Sequence, residues 1–191
     1  MSFYNFAIGL VSGVLKILTF YKVKGKENIP HEGAFLLCSN HRSWVDAIYL
    51  AAGCNRPLTF MAKEELFTVP VLGRLIKSLG AFPIKRGRGD AAAVMATLKI
   101  MKKGGTTLIF PEGTRMKNGQ RKQVSSGIVR LAMQAGVPIL PAYVSRNAVT
   151  YGKPIYYGEH MENAQNTQEM QKLADELMEN IYSLGTVNKI G

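Results

Sequence analysis

Five short apolar runs, the first four each followed by a stretch with helical character, set the strongest limit on how this chain can fold. They are "GAFLLCS" (33–39), "LTFMA" (58–62), "AFPIKR" (81–86), "TTLIF" (106–110) and "VPILPAYV" (137–144). None alternates polar with apolar residues, so each reads as a strand buried on both faces, the situation of a parallel sheet. The intervening segments supply the crossovers. "SWVDAIYLAAG" reads as a helix ending at Gly53, and "EELFTVPVLGRLIKSLG" as a helix broken near Pro70. Asp90 caps "AAAVMATLKIMKK", which stops at Gly104 and Gly105, and "SSGIVRLAMQAG" closes at Gly136. "KPIYYG" is a possible further strand, and Pro83 argues that its own strand lies at an edge or bends. A last helix carries Met170, Leu173, Ala174, Leu177, Met178 and Ile181 on one face, with Asn166 and Glu169 spaced as a capping pair. The expected fold is α/β, a mostly parallel mixed sheet flanked by helices.

The 191 residues suffice for one domain with a sizeable core. Ahead of it, "FYNFAIGLVSGVLKILTFY" (3–21) is apolar except at Asn5, Ser12, Lys16 and Thr19. Those four and Gly9 advance by 4, 3, 4 and 3 residues, so they form one narrow stripe of a helix. An amphipathic helix of this kind suits the membrane interface, and it is barely long enough to span. The division expected is an N-terminal interfacial helix over 1–22 and an α/β domain over 23–191. Of 24 basic side chains, 22 lie within residues 1–158, against seven acids; residues 159–191 carry six acids and two bases. A basic body favours an anionic partner, nucleic acid or an acidic membrane surface. Cys38 and Cys54 are the only cysteines and make no CxxC, which points to reduced thiols and no zinc site.

In parallel sheets, sites form beyond the carboxyl ends of strands. Beyond 33–39 stand Asn40, His41 and Ser43; at the end of 81–86 stand Lys85 and Arg86; beyond 106–110 comes "PEGTR", with Glu112, Thr114 and Arg115. Asp46 admits two readings. Ser43-x-x-Asp46 fits a capping box, with the carboxylate reaching back to the helix start. If the helix begins near Ser43, the same carboxylate can instead hold one imidazole nitrogen of His41 and make the other a base. Spacing alone leaves the two readings level. With no G-x-S-x-G serine and no neighbouring metal-ligand set, the simplest proton source for such a base is a substrate hydroxyl. Arg86 and Arg115 fit a substrate that carries phosphate. Glu112 fits either an ion pair with Arg115 or a nearby lysine, or a contact with substrate hydroxyls.

Competing motifs fare worse. "GRGDAA" (87–92) matches G-x-G-x-x-A, but Asp90 would stand where a pyrophosphate belongs, and the motif follows the third strand instead of opening the fold. P-loop and nucleic-acid motifs are absent, and the aromatics do not interleave with the basic runs as a stacking platform requires.

Taken together, "NHRSWVD", "GAFPIKRG", "FPEGTR" and "VPILPAYV" resemble, in order and spacing, the four blocks of the glycerolipid acyltransferase family, over roughly residues 20–158. The first and third blocks look most like the lysophosphatidate acyltransferases. The resemblance implies that His41 is the general base for the acceptor hydroxyl and that Asp46 orients it. The hydroxyl would attack an acyl thioester directly, with acyl-CoA or acyl-acyl carrier protein as co-substrate and neither metal nor cofactor. It implies that Arg86 and Arg115 hold the acceptor phosphate in a pocket shaped by Glu112, Gly113 and Thr114, and that "ELFTVPVLG" (65–73) walls an acyl tunnel. The implied partners are lysophosphatidate and anionic membrane lipids, at the cytoplasmic face of the membrane. The chain departs from the family at 124–127, where Val-Ser-Ser-Gly replaces a frequent F-K-x-G stretch; Lys117, Arg121 and Lys122 are nearby substitutes.

Overall fold

The computed structural model describes residues 8, 9, 13, 21–78, 80–84, 89–116 and 122–186. The strands are β1 (Lys22–Lys24), β2 (Leu36–Ser39), β3 (Leu58–Lys63), β4 (Ala81–Ile84), β5 (Thr106–Ile109), β6 (Ile139–Val144) and β7 (Ala148–Tyr151). The helices are α1 (Asp46–Gly53), α2 (Glu64–Phe67), α3 (Pro70–Ser78), α4 (Gly89–Lys102), α5 (Gly127–Ala135) and α6 (Thr167–Thr186). The strands form one sheet in the order β1-β7-β6-β2-β5-β3-β4, parallel throughout except for the β6–β7 pair. The expected α/β architecture is therefore present, with β4 and its Pro83 at an edge.

Successive residues of β2 serve opposite cores. Leu37 joins Phe35, Leu50, Leu108 and Leu140 on one face, with α1, Phe67 and Ile76. Leu36 and Cys38 join Leu98, Val129, Met170 and Leu177 on the other, with α4, α5 and α6. Two fully buried faces explain why the strand sequences do not alternate. The chain moves across the sheet from β2 to β3 to β4 with its helices on the first face. It reverses direction from β4 to β5 to β6 with its helices on the second. Changing face together with direction is what a single crossover handedness demands.

Two strands escape the sequence reading. β1, "KVK", is three residues long with both lysines exposed, so no buried apolar run marks it. β7, "AVTY", returns antiparallel through the turn at 145–147, where the Ser145 N–H bonds the Ala148 carbonyl. "KPIYYG" contributes only an isolated bridge, Ile155 to Ile139. Most of the expected N-terminal helix lies outside the described residues; of its described part, Ile8 packs against the first-face core. Among the described residues, no helix is long and apolar enough to cross a membrane.

At eight residues, α1 is too short to persist alone. Its carboxyl end is held by two buried tyrosines: the Tyr21 hydroxyl donates to the Tyr49 carbonyl, and the Tyr151 hydroxyl to the Leu50 carbonyl at 2.7 Å. Burial raises the Tyr21 phenol pKa, which keeps it a donor. Gly53 makes room for both rings, since a Cβ there would lie 2.5 Å from the Tyr21 oxygen and 2.8 Å from that of Tyr151. The amino end of α1 is held by Asp46, which belongs to the site.

Candidate active site

The site is assembled at the carboxyl ends of three neighbouring strands, β6, β2 and β5. Asn40, buried just past β2, bonds the end of β6 twice. Its amide donates to the Val144 carbonyl at 3.0 Å, and its oxygen accepts the Val144 N–H at 2.8 Å. That clamp fixes the direction in which the chain leaves the sheet at His41. The loop after β5 then grips the His41 backbone on both sides. The His41 N–H donates to Glu112 Oε2 at 2.8 Å, and the His41 carbonyl accepts the Met116 N–H at 2.8 Å. The imidazole stacks on Phe110, with ring centroids 4.0 Å apart and planes 16° from parallel.

Asp46 fills both roles the sequence allows. Its Oδ2 accepts the Arg42 N–H at 2.5 Å and the Ser43 N–H at 2.6 Å, so the carboxylate reaches back to the loop that leads into α1, as the capping reading expected, while the Ser43 side chain makes no cap bond to the Asp46 N–H. The same oxygen lies 3.0 Å from His41 Nδ1. Two backbone N–H groups donate to this one oxygen, so it serves there as an acceptor. Nδ1 must then carry the hydrogen, and Nε2 presents a lone pair. The carboxylate is 4% exposed and the imidazole 19%, so the pair is sheltered while the ring keeps one accessible edge.

Glu112 is buried at 2% exposure. Besides holding the His41 N–H through Oε2, it accepts the Tyr182 hydroxyl on Oε1. Both oxygens are thus engaged by scaffold donors, and the residue fixes the His41 backbone from behind. Gly113 makes this possible: at φ 67° it closes a turn onto the Phe110 carbonyl, which turns Glu112 inward and leaves Gly113, Thr114 and Arg115 exposed. Arg115 immediately precedes Met116, so it is one residue from a direct bond to the His41 backbone.

Arg86 and Lys85 lie outside the described residues, as do Lys117 and Arg121. The strand that leads to Arg86, β4, is three strands from β2, about 14 Å at ordinary strand spacing. Along the departing stretch, Val124 is a core residue and its carbonyl accepts the Gln171 side chain at 2.9 Å, while Lys122 is exposed. Of "ELFTVPVLG", Phe67 turns to the core, whereas Leu66, Val69 and Val71 face solvent. Asn40 stood among the strand-end candidates, though its clamp on β6 was not legible; Tyr182 is the positioning residue that spacing could not single out. Tyr182 sits on the last helix, 70 residues from its partner, and no motif surrounds it. The cysteines are inert: burial pushes Cys54 up to about 11 and Cys38 further.

A sheltered His–Asp pair at the strand ends, with an exposed arginine in the neighbouring loop and no partner on Nε2 among the described residues, has the chemistry to accept a proton. Residues 20–145 match the family model described as Acyltransferase, and the chain belongs to that family. Among curated relatives, the 1-acyl-sn-glycerol-3-phosphate acyltransferase of Bacillus subtilis is 31% identical over 140 residues, covering 73% of this chain and 69% of that protein. The enzyme of the same name from Pseudomonas aeruginosa is 36% identical over 150 residues, covering 77% of this chain and 56% of that protein. The chain spans between 40% and 69% of the length of these and other curated relatives it matches. The crystal structure of the 1-acyl-sn-glycerophosphate acyltransferase PlsC from Thermotoga maritima shares the fold, with a TM-score of 0.71 at 22% identity over 97% of this chain and 81% of that one.

Proposed function

We propose that the protein is a 1-acyl-sn-glycerol-3-phosphate acyltransferase, moving an acyl group from an acyl thioester to the free hydroxyl of lysophosphatidate to give phosphatidate. The observation that carries the chemistry is the bonding of Asp46 Oδ2, which commits the Nδ1 hydrogen of His41 and leaves Nε2 to accept a proton. The acceptor follows from the names of the relatives. Nε2 takes the hydroxyl proton as the oxygen forms its bond to the thioester carbonyl carbon. The C–S bond then breaks, and the imidazolium returns the proton to the departing thiolate. Asp46 stabilises the transient imidazolium at 3.0 Å. Transfer is direct, without an acyl-enzyme or a cofactor, and the donor is acyl-CoA or acyl-acyl carrier protein.

Arg115 and Arg86 hold the acceptor phosphate, Gly113 and Thr114 form the exposed lip of that pocket, and Glu112 serves it through the His41 backbone. Since both acceptor and product are membrane lipids, the enzyme works on the cytoplasmic face of the cell membrane. It is held there by its basic surface, by anionic lipids and by an interfacial helix within residues 1–22.

The test is thiol release from an acyl thioester with lysophosphatidate, glycerol 3-phosphate, a lysophospholipid lacking a terminal phosphate, or no acceptor. Phosphatidate formed in preference to the other products supports the proposal. Equal or faster transfer to either alternative assigns a different acceptor, and release without any acceptor makes the protein a thioesterase.

A further inference from the structure

Seven large hydrophobic side chains are exposed among the described residues, and five of them, Trp44, Leu66, Val69, Val71 and Leu75, belong to the segments that cover one face of the sheet. Their position follows from the topology. Trp44 lies between His41 and α1, at the carboxyl edge of β2. α2 starts directly after Lys63, the last residue of β3, and so begins at the same edge. Val71 is in the first turn of α3, before that helix runs back to the start of β4. All three helices pack on the same sheet face, where Ala47, Leu50, Phe67 and Ile76 share one core.

The outward display is built in. Gly73 lets α3 fold tightly back on α2, since a Cβ there would stand 2.3 Å from the Phe67 carbonyl oxygen. With Gly73 and Ile76 turned inward, Val71 and Leu75, one turn apart, share the outer face with Arg74 between them. Val71 is 81% exposed and Trp44 66%, too much for packing defects in a well-formed core. Arg42, Lys63, Arg74 and Lys77 are exposed beside these residues, against the carboxylates of Glu64 and Glu65.

We propose that this rim, Trp44 with the outer faces of α2 and α3, is a bilayer-contact surface that seats the open side of the site on anionic lipid. An apolar strip with a tryptophan and flanking cations has the chemistry of the headgroup boundary, where aromatic rings and basic side chains both find partners. The strip borders the strand ends that carry His41, so seating it delivers a two-tailed product to lipid without a passage through water. Ile8, within the apolar N-terminal run, packs against the core of the same sheet face. The inference rests on the acyltransferase reading for its purpose, but binding can be measured without catalysis.

Trp44 is the only tryptophan in the chain, so the emission of the unmodified protein reports on this one residue. The full chain is mixed with phosphatidylcholine vesicles, with and without phosphatidylglycerol. Emission should shift to the blue on the anionic vesicles and be quenched by lipids brominated near the headgroup. Val71→Asp should weaken vesicle binding at least about tenfold and lower turnover of vesicle-borne acceptor by a similar factor. Turnover of a short-chain, water-dispersed acceptor should fall far less than that of the vesicle-borne one. Met95, 66% exposed but on α4 across the sheet, provides the control: Met95→Asp should change none of these. Unmoved emission, or undiminished binding by Val71→Asp, would overturn the proposal. So would a blue shift that grows with protein concentration alone, which marks a contact between copies, or one produced by a soluble acyl thioester alone, which marks an acyl-chain groove. Failure of the parent protein to turn over the water-dispersed acceptor would count against the enzymatic reading and leave the seating result standing.

Discussion

Replacing Asp46 by Asn isolates what the carboxylate charge does, because the surrounding backbone dictates how the amide must sit. The Arg42 and Ser43 N–H groups, at 2.5 and 2.6 Å, accept no donor. The carboxamide oxygen must therefore occupy the Oδ2 position and the NH2 group the other. That oxygen still accepts from His41 Nδ1, so the imidazole keeps its tautomer and only the charge is lost. With charge centres about 4 Å apart and an effective dielectric of about 20, the attraction to a full imidazolium is about 4 kcal/mol. A transition state with proton transfer half complete forfeits about 2 kcal/mol, a loss of roughly 30-fold in turnover. Asp46→Ala leaves all three donors unpaired and should cost more, about 10³-fold, with a lower melting temperature. Initial rates of thiol release at saturating acceptor, beside thermal melts, give the comparison. Asp46→Asn within threefold of the parent would refute the role of the charge. A loss as deep as that of Asp46→Ala would refute the argument that the tautomer survives.

Other outcomes follow from the same geometry. Tyr182→Phe removes a donor from the buried Glu112 carboxylate, and kcat should fall about three- to tenfold with the acceptor KM unchanged; a change in KM alone would contradict a positioning role. Arg115→Ala should raise the acceptor KM about tenfold or more with a smaller effect on kcat, and an unaltered KM would remove Arg115 from the phosphate site. Gly25→Ala forces a Cβ to 2.0 Å from the Tyr151 carbonyl oxygen at a φ of 71°. Urea unfolding should show a loss of about 2 kcal/mol or more, with turnover per folded molecule preserved. Cys54, held near 11, and Cys38, pushed higher still, are neutral thiols at pH 8. A thiol reagent should label them slowly until denaturant is added, and rapid labelling of the native chain would contradict the packing.

The legible parts of the fold were those where one physical cause dominates. Runs such as "TTLIF" read correctly because burial on both faces leaves no polar alternation, and Pro83 marked an edge because proline offers no N–H to a ladder. Asn166 was recognisable as a cap because its geometry is local: its side-chain oxygen accepts the N–H groups of Gln168 and Glu169. β1 was hidden because three residues with two exposed lysines carry no burial signal. The site was half visible for the same reason. His41 and Asp46 lie five residues apart, in a loop and in the first turn of the helix it enters, and their spacing allowed the pairing found. The partners of Glu112 depend on tertiary placement, from a turn that only Gly113 at positive φ permits and a tyrosine on the last helix. No spacing rule reaches across 70 residues.

The central claim is that His41, held at Nδ1 by Asp46, is the base that activates the acceptor hydroxyl. The most direct test is the rate of thiol release from an acyl thioester with lysophosphatidate, measured for the parent protein and for His41→Ala at equal folded concentration. The structure predicts a fall of about 10² to 10⁴-fold with an unchanged melting temperature. His41→Ala turning over within a few fold of the parent would contradict it.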